Sequence, residues 1–544
     1  MGKTRARPAA RRRQCEEARP PRGRFKTLCD FNSRMRFKEL KFSERACIVE
    51  QAMVVLENFH INLPRKRAAY AVDPLRQLSL LRQRLSSVDT DRAFHREMTH
   101  IFNSLHDQHA MYTVPPPLSK WIAWLPFTVE VCYEANHPVY LVTKVAKDWF
   151  AGTAFRKGVE VAAWNGVPIE RAVEVAGDQN PLGAGNRASQ LALRLLTLTA
   201  RPFVVLPPPD EEWVIVGYRI PGSRTLHEIR VSWMVSRCQD SSDRISSSAA
   251  GFQNIRKLLF ASQKKNVLAK PIETKYGTFG YLRIFNFEVS ESESGDFVKQ
   301  VISKIKGLPK DGLIIDIRAN PGGRTHASEP LLPVISPDYP RRPVEPQRLY
   351  FRNTPLALKL CQILRNGQIL GPQGGRPWIE SIERGLQTGA EYSAGFPFTD
   401  PKACNLKDQF RYLGPVIIVT DALTRSAAEF LAAGFQDHGG MVLGIDLTTA
   451  GAGGQVKTHS DFVSYFHKAA DSPLKSLPHK AEFRLPFRRS QRVGLRSGAE
   501  IEDFGVKRNY EYRMTRTDLL KDNRDLLEHA AGLLASGKLP VQQA

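Results

Sequence analysis

The sequence predicts an α/β, multidomain α+β protein whose second half is a parallel sheet covered by helices on both faces. The first observation is the alternation of short apolar strands with amphipathic helices between residues 279 and 445. The second is a region of helical apolar spacing that ends at three consecutive prolines at 115–117. The third is length, because 544 residues, 42% of them hydrophobic, suffice for two to four structural units.

The first segment, residues 1–45, is a basic arm for which the composition predicts disorder. It holds fifteen Lys or Arg against five Asp or Glu, so it carries +10 of the chain's net charge of +23. No apolar stretch follows the charges as it would in a secretory signal, and no run of about 18 apolar residues predicts a membrane span. The cytoplasm is therefore the default location. The arm also raises the hypothesis of nucleic-acid binding, although no motif for specific readout supports it.

Residues 46–118 form the predicted N-terminal helical segment. Apolar residues recur at helical spacing from Ala52 to Phe59 and again from Leu75 to Leu85. Proline cannot continue a helix, so the prolines at 115–117 are expected to end this segment.

Residues 119–235 are predicted to be rich in β-structure. The stretch 126–145 alternates as strands do, and Asn165 with Gly166 between two short apolar runs is typical of a hairpin turn. Further strands are predicted at residues 204–206, 214–218 and 228–233. The polar run at 236–248 marks a domain boundary.

Residues 249–535 form the predicted α/β core, followed by a short tail at 536–544. Strands are predicted at residues 279–285, 313–318, 416–419 and 441–445, and helices at 297–305 and 426–435. Between the second and third of these strands, residues 324–411 are long and punctuated by Pro and Gly, which indicates an insertion or cap. Strand–helix–strand order at this spacing predicts βαβ units.

Two loops of the core have the character of a functional site. Open α/β sheets bind their ligands beyond the carboxyl ends of the strands, where loops lead into helices. Residues 320–323, Asn-Pro-Gly-Gly, follow the second strand, and residues 424–429, Thr-Arg-Ser-Ala-Ala-Glu, follow the third. Ser426 with Glu429 three residues later also fits a capping box, which by itself is only structural.

These two loops together resemble a known family. GLIIDIRANPGG at 312–323 and TRSAAEFLAAGFQDHGG at 424–440 are similar to the signature of the tail-specific, or C-terminal-processing, serine peptidases of family 41. DQHA at 107–110 and IEDFGV at 501–506 match further family elements, and residues 140–169 are similar to its PDZ-like module. The resemblance implies a crotonase-like ββα catalytic core, a PDZ-like module within 119–235, and polypeptide substrates. Export from the cytoplasm is common in the family.

The sequence departs from one branch of that family. The lysine of the Ser–Lys dyad is replaced by Ala452, so the resemblance is to the branch that uses Ser, His and Glu. It implies the following catalytic set. Ser426 is the nucleophile, His109 the general base, and Glu502 the carboxylate that orients the imidazole. The oxyanion hole is expected from backbone N–H groups of Ala427 and of Gly323 or Gly322, with Gly323 preferred.

The leading hypothesis is a serine endopeptidase that hydrolyses extended polypeptides through an acyl-enzyme. The alternative is a catalytically inactive relative that binds a peptide or a hydrophobic ligand in the same cleft. No cofactor is predicted. The seven cysteines include no C-x-x-C pair, and His106, Asp107 and His109 lack a partner at metal-ligand spacing, so no metal is predicted either. The oligomeric state stays open.

Overall fold

The computed structural model describes residues 15–21, 26–34, 39–179, 183–237, 266–406, 410–469 and 471–542. Parts of the basic arm lie within these ranges and are folded, as strands β1 (Glu16–Glu17) and β2 (Lys26–Thr27) and helix α1 (Leu28–Arg34). The prediction of disorder is wrong for these parts. The physical reason is that Leu28 and Phe31 interrupt the charges and are buried, at 0% and 4% exposure.

Four helices lie in the part of the chain that precedes the three prolines. They are α2 (Phe42–Phe59), α3 (Leu63–Tyr70), α4 (Pro74–Gln83) and α5 (Asp91–Asn103). The Thr90 hydroxyl caps the last of them by accepting the Ala93 N–H at 3.1 Å. The helices end before the three prolines, because the chain has already turned into strand β3 (Met111–Thr113).

Two sheets and two helices make up the next part of the chain. The strands are β4 (Trp121–Trp124), β5 (Phe127–Glu134), β6 (His137–Val145), β7 (Glu160–Trp164), β8 (Val167–Pro168), β9 (Ala200–Pro202), β10 (Trp213–Arg219), β11 (His227–Ser232) and β12 (Met234–Arg237); the helices are α6 (Ile169–Gln179) and α7 (Arg187–Thr199). One sheet has the order β1-β11-β10-β7-β6-β5 with β8 on β7, and the other has the order β2-β12-β4-β9.

The hairpin predicted at Asn165 and Gly166 is confirmed. Trp164 pairs with Val167 across the turn, and both turn residues have positive φ, as a tight two-residue turn requires. The strand predicted at 204–206 is wrong, because this short apolar run between prolines forms a turn after β9. Of the boundary predicted at 236–248, the first two residues complete β12 and the rest lies outside the described residues.

The remaining elements form the core and its surroundings. The strands are β13 (Val267–Thr274), β14 (Gly277–Ile284), β15 (Leu313–Asp316), β16 (Arg348–Tyr350), β17 (Phe396–Pro397), β18 (Val416–Thr420), β19 (Met441–Gly444), β20 (Gly454–Thr458), β21 (Glu482–Gln491) and β22 (Tyr510–Glu511). The helices are α8 (Ser294–Lys306), α9 (Thr325–Ser328), α10 (Leu332–Ile335), α11 (Pro355–Ile363), α12 (Arg376–Thr388), α13 (Ala427–Asp437), α14 (His459–Phe466), α15 (Arg516–Leu520) and α16 (Arg524–Ala535). Short 3-10 helices lie at Leu85–Ser87, Leu118–Lys120, Glu329–Leu331, Gln368–Leu370, Pro478–Lys480 and Gly494–Arg496.

The core sheet has the order β13-β14-β15-β18-β19-β22, and it is parallel from β14 onward. Successive residues of a strand point to opposite faces, so Ile315 and Ile418 pack with α8 and α13 while Ile314 and Ile417 pack with α16. Burial on both faces confirms the predicted α/β sheet.

A further sheet, β17-β16-β21-β20 with β3 on β21, ties the insertion to the rest of the molecule. The segment 324–411 supplies β16 and β17, and its buried side chains belong to the same hydrophobic clusters as the helices and the core. Within the described residues, the helices are too short or too polar to span a lipid bilayer.

Candidate active site

Two loops meet at the carboxyl ends of β15 and β18. The Asn320 amide donates to the Ile284 carbonyl at 3.0 Å, and the Arg425 N–H donates to the Asn320 carbonyl at 2.9 Å. The Thr424 hydroxyl donates to the Ile317 carbonyl at 3.1 Å. These bonds fix the glycine loop against the start of helix α13.

Ser426 lies at that junction in a strained conformation. Its φ of 54° and ψ of −124° are rare for a residue with a Cβ atom, and such strain is found where a nucleophile stands on a sharp strand-to-helix turn. Its N–H donates to Glu429 Oε2 at 3.0 Å, but its hydroxyl makes no capping hydrogen bond to the described residues. The Ser426–Glu429 capping-box arrangement expected from the sequence is present, but without a hydrogen bond to the Ser426 hydroxyl, which is left for chemistry.

In this chain, the segment that carries the dyad lysine in the Ser–Lys branch binds the side chain of Glu429. Its buried carboxylate accepts hydrogen bonds from the Thr449 hydroxyl at 2.6 Å and from the N–H groups of Gly451 at 2.7 Å and Ala452 at 3.0 Å. The segment around Ala452 therefore fixes the position of the Glu429 carboxylate, and this carboxylate in turn accepts the Ser426 N–H.

The glycine loop presents one free N–H group to this junction. The Gly322 N–H already donates to Asn320 Oδ1 at 2.9 Å, whereas the N–H groups of Gly323 and Ala427 donate to no described residue. A Cβ atom on Gly322 would lie 2.6 Å from the Cβ of Ser426, so the loop packs directly against that residue. This geometry favours Gly323 and Ala427, rather than Gly322, as donors to an oxyanion.

His109 is brought to the site by the strand that follows it. Met111 in β3 pairs with Arg484 in β21, and the His109 N–H donates to Asp107 Oδ1 at 2.8 Å. The ring is fully buried, and neither ring nitrogen has a hydrogen-bond partner among the described residues. Burial, followed by the charge of Arg484, holds the pKa of His109 well below its usual value, so the resting imidazole is neutral.

Glu502 lies beside His109. Ligand atoms of Asp107, His109 and Glu502 all lie within 4.8 Å of one another, and Glu502 Oε2 has no partner among the described residues. The other oxygen of Glu502 is 3.0 Å from Lys66 Nζ. Burial and the neighbouring Asp107 raise the pKa of Glu502, while Lys66 opposes this shift. The structure thus brings His109 and Glu502 together, and the Gly323 loop against Ser426.

The same three residues are the set that could hold a metal ion. Lys66, however, places its ammonium on Glu502 and also pairs with Asp503, so a positive charge is already supplied. His106, which the sequence offers as a competing base, is turned away and stacks on the Tyr70 ring at 4.2 Å. The arrangement suits proton transfer by His109 better than metal binding.

The sequence reasoning missed three basic residues at the site. Lys66 is buried against Glu502, and Arg425 and Arg484 are only 3% and 9% exposed. Burial lowers the pKa of Arg425 to about 10 and that of Arg484 to about 9. In a chain with 78 Lys and Arg residues, no sequence signal separates these three from the rest.

Comparison with known proteins identifies the core. The family model described as peptidase family S41 matches residues 278–462. These residues form a peptidase S41 domain. The S41 match includes Ser426 and both loop glycines, whereas His109 and Glu502 lie outside it. This match supports a serine-type peptidase. No curated protein matches the sequence significantly.

Solved structures extend the likeness from the S41 domain to almost the whole fold. Mature CPAF matches with a TM-score of 0.66 at 16% identity, covering 92% of this chain and 99% of its own. Mature CPAF complexed with lactacystin matches with a TM-score of 0.65 at 16% identity, covering 91% and 99%. The tricorn protease, at 11% identity, covers 91% of this chain and 37% of its own, but its TM-score of 0.37 is too low to carry an argument. The fold is therefore similar to that of mature CPAF and is consistent with a crotonase-like core.

Proposed function

We propose that the chain is a serine endopeptidase in which Ser426, His109 and Glu502 form the catalytic triad. The observation that carries the proposal is the strained backbone of Ser426, whose hydroxyl serves no cap and stands beside the glycine loop. Strain of this kind persists at a helix start only when the surrounding structure enforces it, which is typical of a nucleophile.

The neutral imidazole of His109 takes the proton of the Ser426 hydroxyl as its oxygen attacks the peptide carbonyl carbon. The N–H groups of Gly323 and Ala427 stabilise the resulting oxyanion. His109 then gives its proton to the leaving amine, and the acyl-enzyme is hydrolysed by a water that His109 activates in turn. Asp107 and Glu502 face the ring and offset the positive charge that it carries between these steps.

The substrate in this proposal is an extended polypeptide that adds as a strand to the PDZ-like module within 119–235. Strand β5 is the last strand of its sheet among the described residues, which leaves an edge for such pairing. One end of that edge is covered, because the Tyr133 N–H donates to the Met514 carbonyl at 2.8 Å. The part of β5 that precedes Tyr133 is the part that a peptide would pair with.

The test is labelling of the full chain with a fluorophosphonate probe, which phosphonylates activated serines with loss of fluoride. We expect the wild type to be labelled and Ser426→Ala to be unlabelled, because the nucleophile is gone. Ser536→Ala is the matched control, since Ser536 lies just beyond helix α16 and bonds only within its own turn. Equal labelling of wild type and Ser426→Ala, or labelling of neither, would refute the proposal.

A second candidate is an inactive relative that binds peptide in the same cleft. Ala452 at the dyad-lysine position and the unpartnered ring of His109 favour it. His109→Ala separates the two functions, provided that circular dichroism shows an intact fold. Lost peptide turnover supports the enzyme, and retained peptide binding with no turnover in either protein supports the binder.

A further inference from the structure

Two arginines at the site are buried. Arg425 Nε and Arg484 Nη1 are shielded from solvent and lack a hydrogen-bond partner among the described residues. Burying a charge without a partner costs several kcal/mol, so a ligand that supplied the opposite charge would relieve this cost.

Both arginines face the reacting groups. Arg425 directly precedes Ser426, and Arg484 lies across the sheet from Met111, two residues after His109. Each lowers the pKa of His109, and the charge of Arg425 also lowers the pKa of Arg484. Two mutually repelling cations beside one imidazole create a positive pocket at the place where the peptide bond is cleaved.

The protein's own carboxylates do not neutralise this pocket. Glu429 acts on Arg425, but its two oxygens are occupied by Ser426, Thr449 and the N–H groups after it. Asp107 acts on Arg484 while it holds the His109 backbone. Glu288 raises the pKa of both arginines, but its side chain is exposed at the edge of the glycine loop.

We propose that Arg425 and Arg484 form a carboxylate-binding subsite, so that the peptidase selects substrates with an acidic group within two residues of the cleaved bond. Guanidinium pairs with carboxylate in a planar, two-bonded geometry, which gives this choice its chemical basis. The carboxylate comes either from an Asp or Glu side chain or from the carboxyl end of the substrate chain. This inference rests on the proposed function for its role in cleavage, but the binding itself is independent of catalysis.

The test measures binding to full-length Ser426→Ala by calorimetry, with three pentapeptides. The first is Ala-Ala-Glu-Ala-Ala with both ends blocked, the second has Gln in place of Glu, and the third is the Gln peptide with a free carboxyl end. We expect the Glu peptide, the free-acid peptide or both to bind at least about tenfold tighter than the blocked Gln peptide. Tighter binding of the Glu peptide would indicate that the subsite accepts a side-chain carboxylate. Tighter binding of the free-acid peptide would indicate that it accepts the carboxyl end of a chain.

Arg425→Met and Arg484→Met, each added to Ser426→Ala, should remove this preference, whereas Arg484→Lys should retain part of it because the charge remains. Arg376→Met is the control, since Arg376 is exposed on α12 and pairs with Glu380. Equal binding of the three peptides, or a preference that survives both arginine substitutions, would overturn the inference. Fluorophosphonate labelling of the wild type is read separately. If labelling fails while the peptides are still discriminated, the subsite stands and the peptidase function falls.

Discussion

His109 can accept the Ser426 proton only while its ring is neutral. Burial, Arg484 and Arg425 hold the pKa of this imidazole well below 6.5, with Asp107 opposing them and Lys66 assisting. A base with a lowered pKa keeps its active form down to more acidic solution. We therefore predict that kcat/KM for a peptide stays level as the pH falls to 6.5 and declines only below it.

The measurement is kcat/KM against pH for the wild type and for Arg484→Met. Because Arg484 is the largest cause of the shift after burial, its removal should raise the pKa of His109 and move the decline to higher pH. A wild-type decline centred at or above pH 6.5 would contradict the prediction. An unchanged profile in Arg484→Met would show that the guanidinium does not act on the ring.

At the scale of residues, the sequence predicts the site residues that belong to a family motif. It does not predict those that reach the site only through the fold. Ser426, His109, Glu502 and Gly323 follow from the family signature, and the structure brings His109 beside Glu502 and the glycine loop, through Gly322, beside Ser426. Lys66 belongs to a run of basic residues, a pattern that is typical of a solvent-exposed surface. Its side chain is nevertheless fully buried against Glu502. Its role depends on contact between residues more than four hundred positions apart, and no local pattern predicts such contacts.

At the scale of elements, the glycine loop is held by its conformation. Gly323 has a φ of 138°, and a Cβ atom there would overlap the Phe287 carbonyl group. Gly323→Ala must therefore displace the loop and its N–H group. Removing one oxyanion donor typically costs about 10²–10³ in kcat, and we predict a loss of that size with little change in KM.

The control for this prediction is Gly152→Ala. Gly152 also has a positive φ, of 77°, but a Cβ atom there meets nothing within 4 Å. Any general cost of placing alanine at positive φ therefore appears in both variants, while the loss of kcat should appear only at Gly323. Equal kcat in the wild type and Gly323→Ala would remove this N–H group from the mechanism.

The sequence predicts elements well where one periodicity dominates. Helices α2 and α4 and strands β14, β15, β18 and β19 follow their apolar patterns. Helices α6 and α7 were not predicted, because α6 follows a hairpin directly and its valines suit a strand equally well. Its buried Val173 and Ala176 show that packing decided between the two. The pairing of β3 with β21, which positions His109, joins distant segments that carry no shared signal.

At the scale of the whole molecule, the site is divided between hydrophobic clusters. One cluster joins the helical segment, the β-rich part, the insertion and β21, while two others enclose the core sheet. Ser426 belongs to the core sheet, whereas His109 precedes the strand that pairs with β21, and Glu502 depends on Lys66 of helix α3. The S41 match alone therefore contains only part of the proposed triad, and the proposed catalytic set requires both parts of the fold.

Because the site is divided in this way, we predict that it is lost when the first hydrophobic cluster unfolds. Phe59 stacks on Phe462 at 4.3 Å within that cluster, far along the chain from Ser426, and Phe59→Ala should lower the free energy of unfolding by about 3–5 kcal/mol. Five of the seven tryptophans lie in the same cluster, so their fluorescence reports its unfolding in urea. Fluorophosphonate labelling reports the site at Ser426.

Because His109 and Lys66 are held by the first cluster, we expect the loss of labelling to coincide with the fluorescence transition in the wild type. In Phe59→Ala both should move together to lower urea. Leu447→Ala is the control, because this side chain is 53% exposed and its truncation should move neither transition. Labelling that persists after the tryptophans have become exposed would show that the core holds a working site alone, and would remove His109 from the triad.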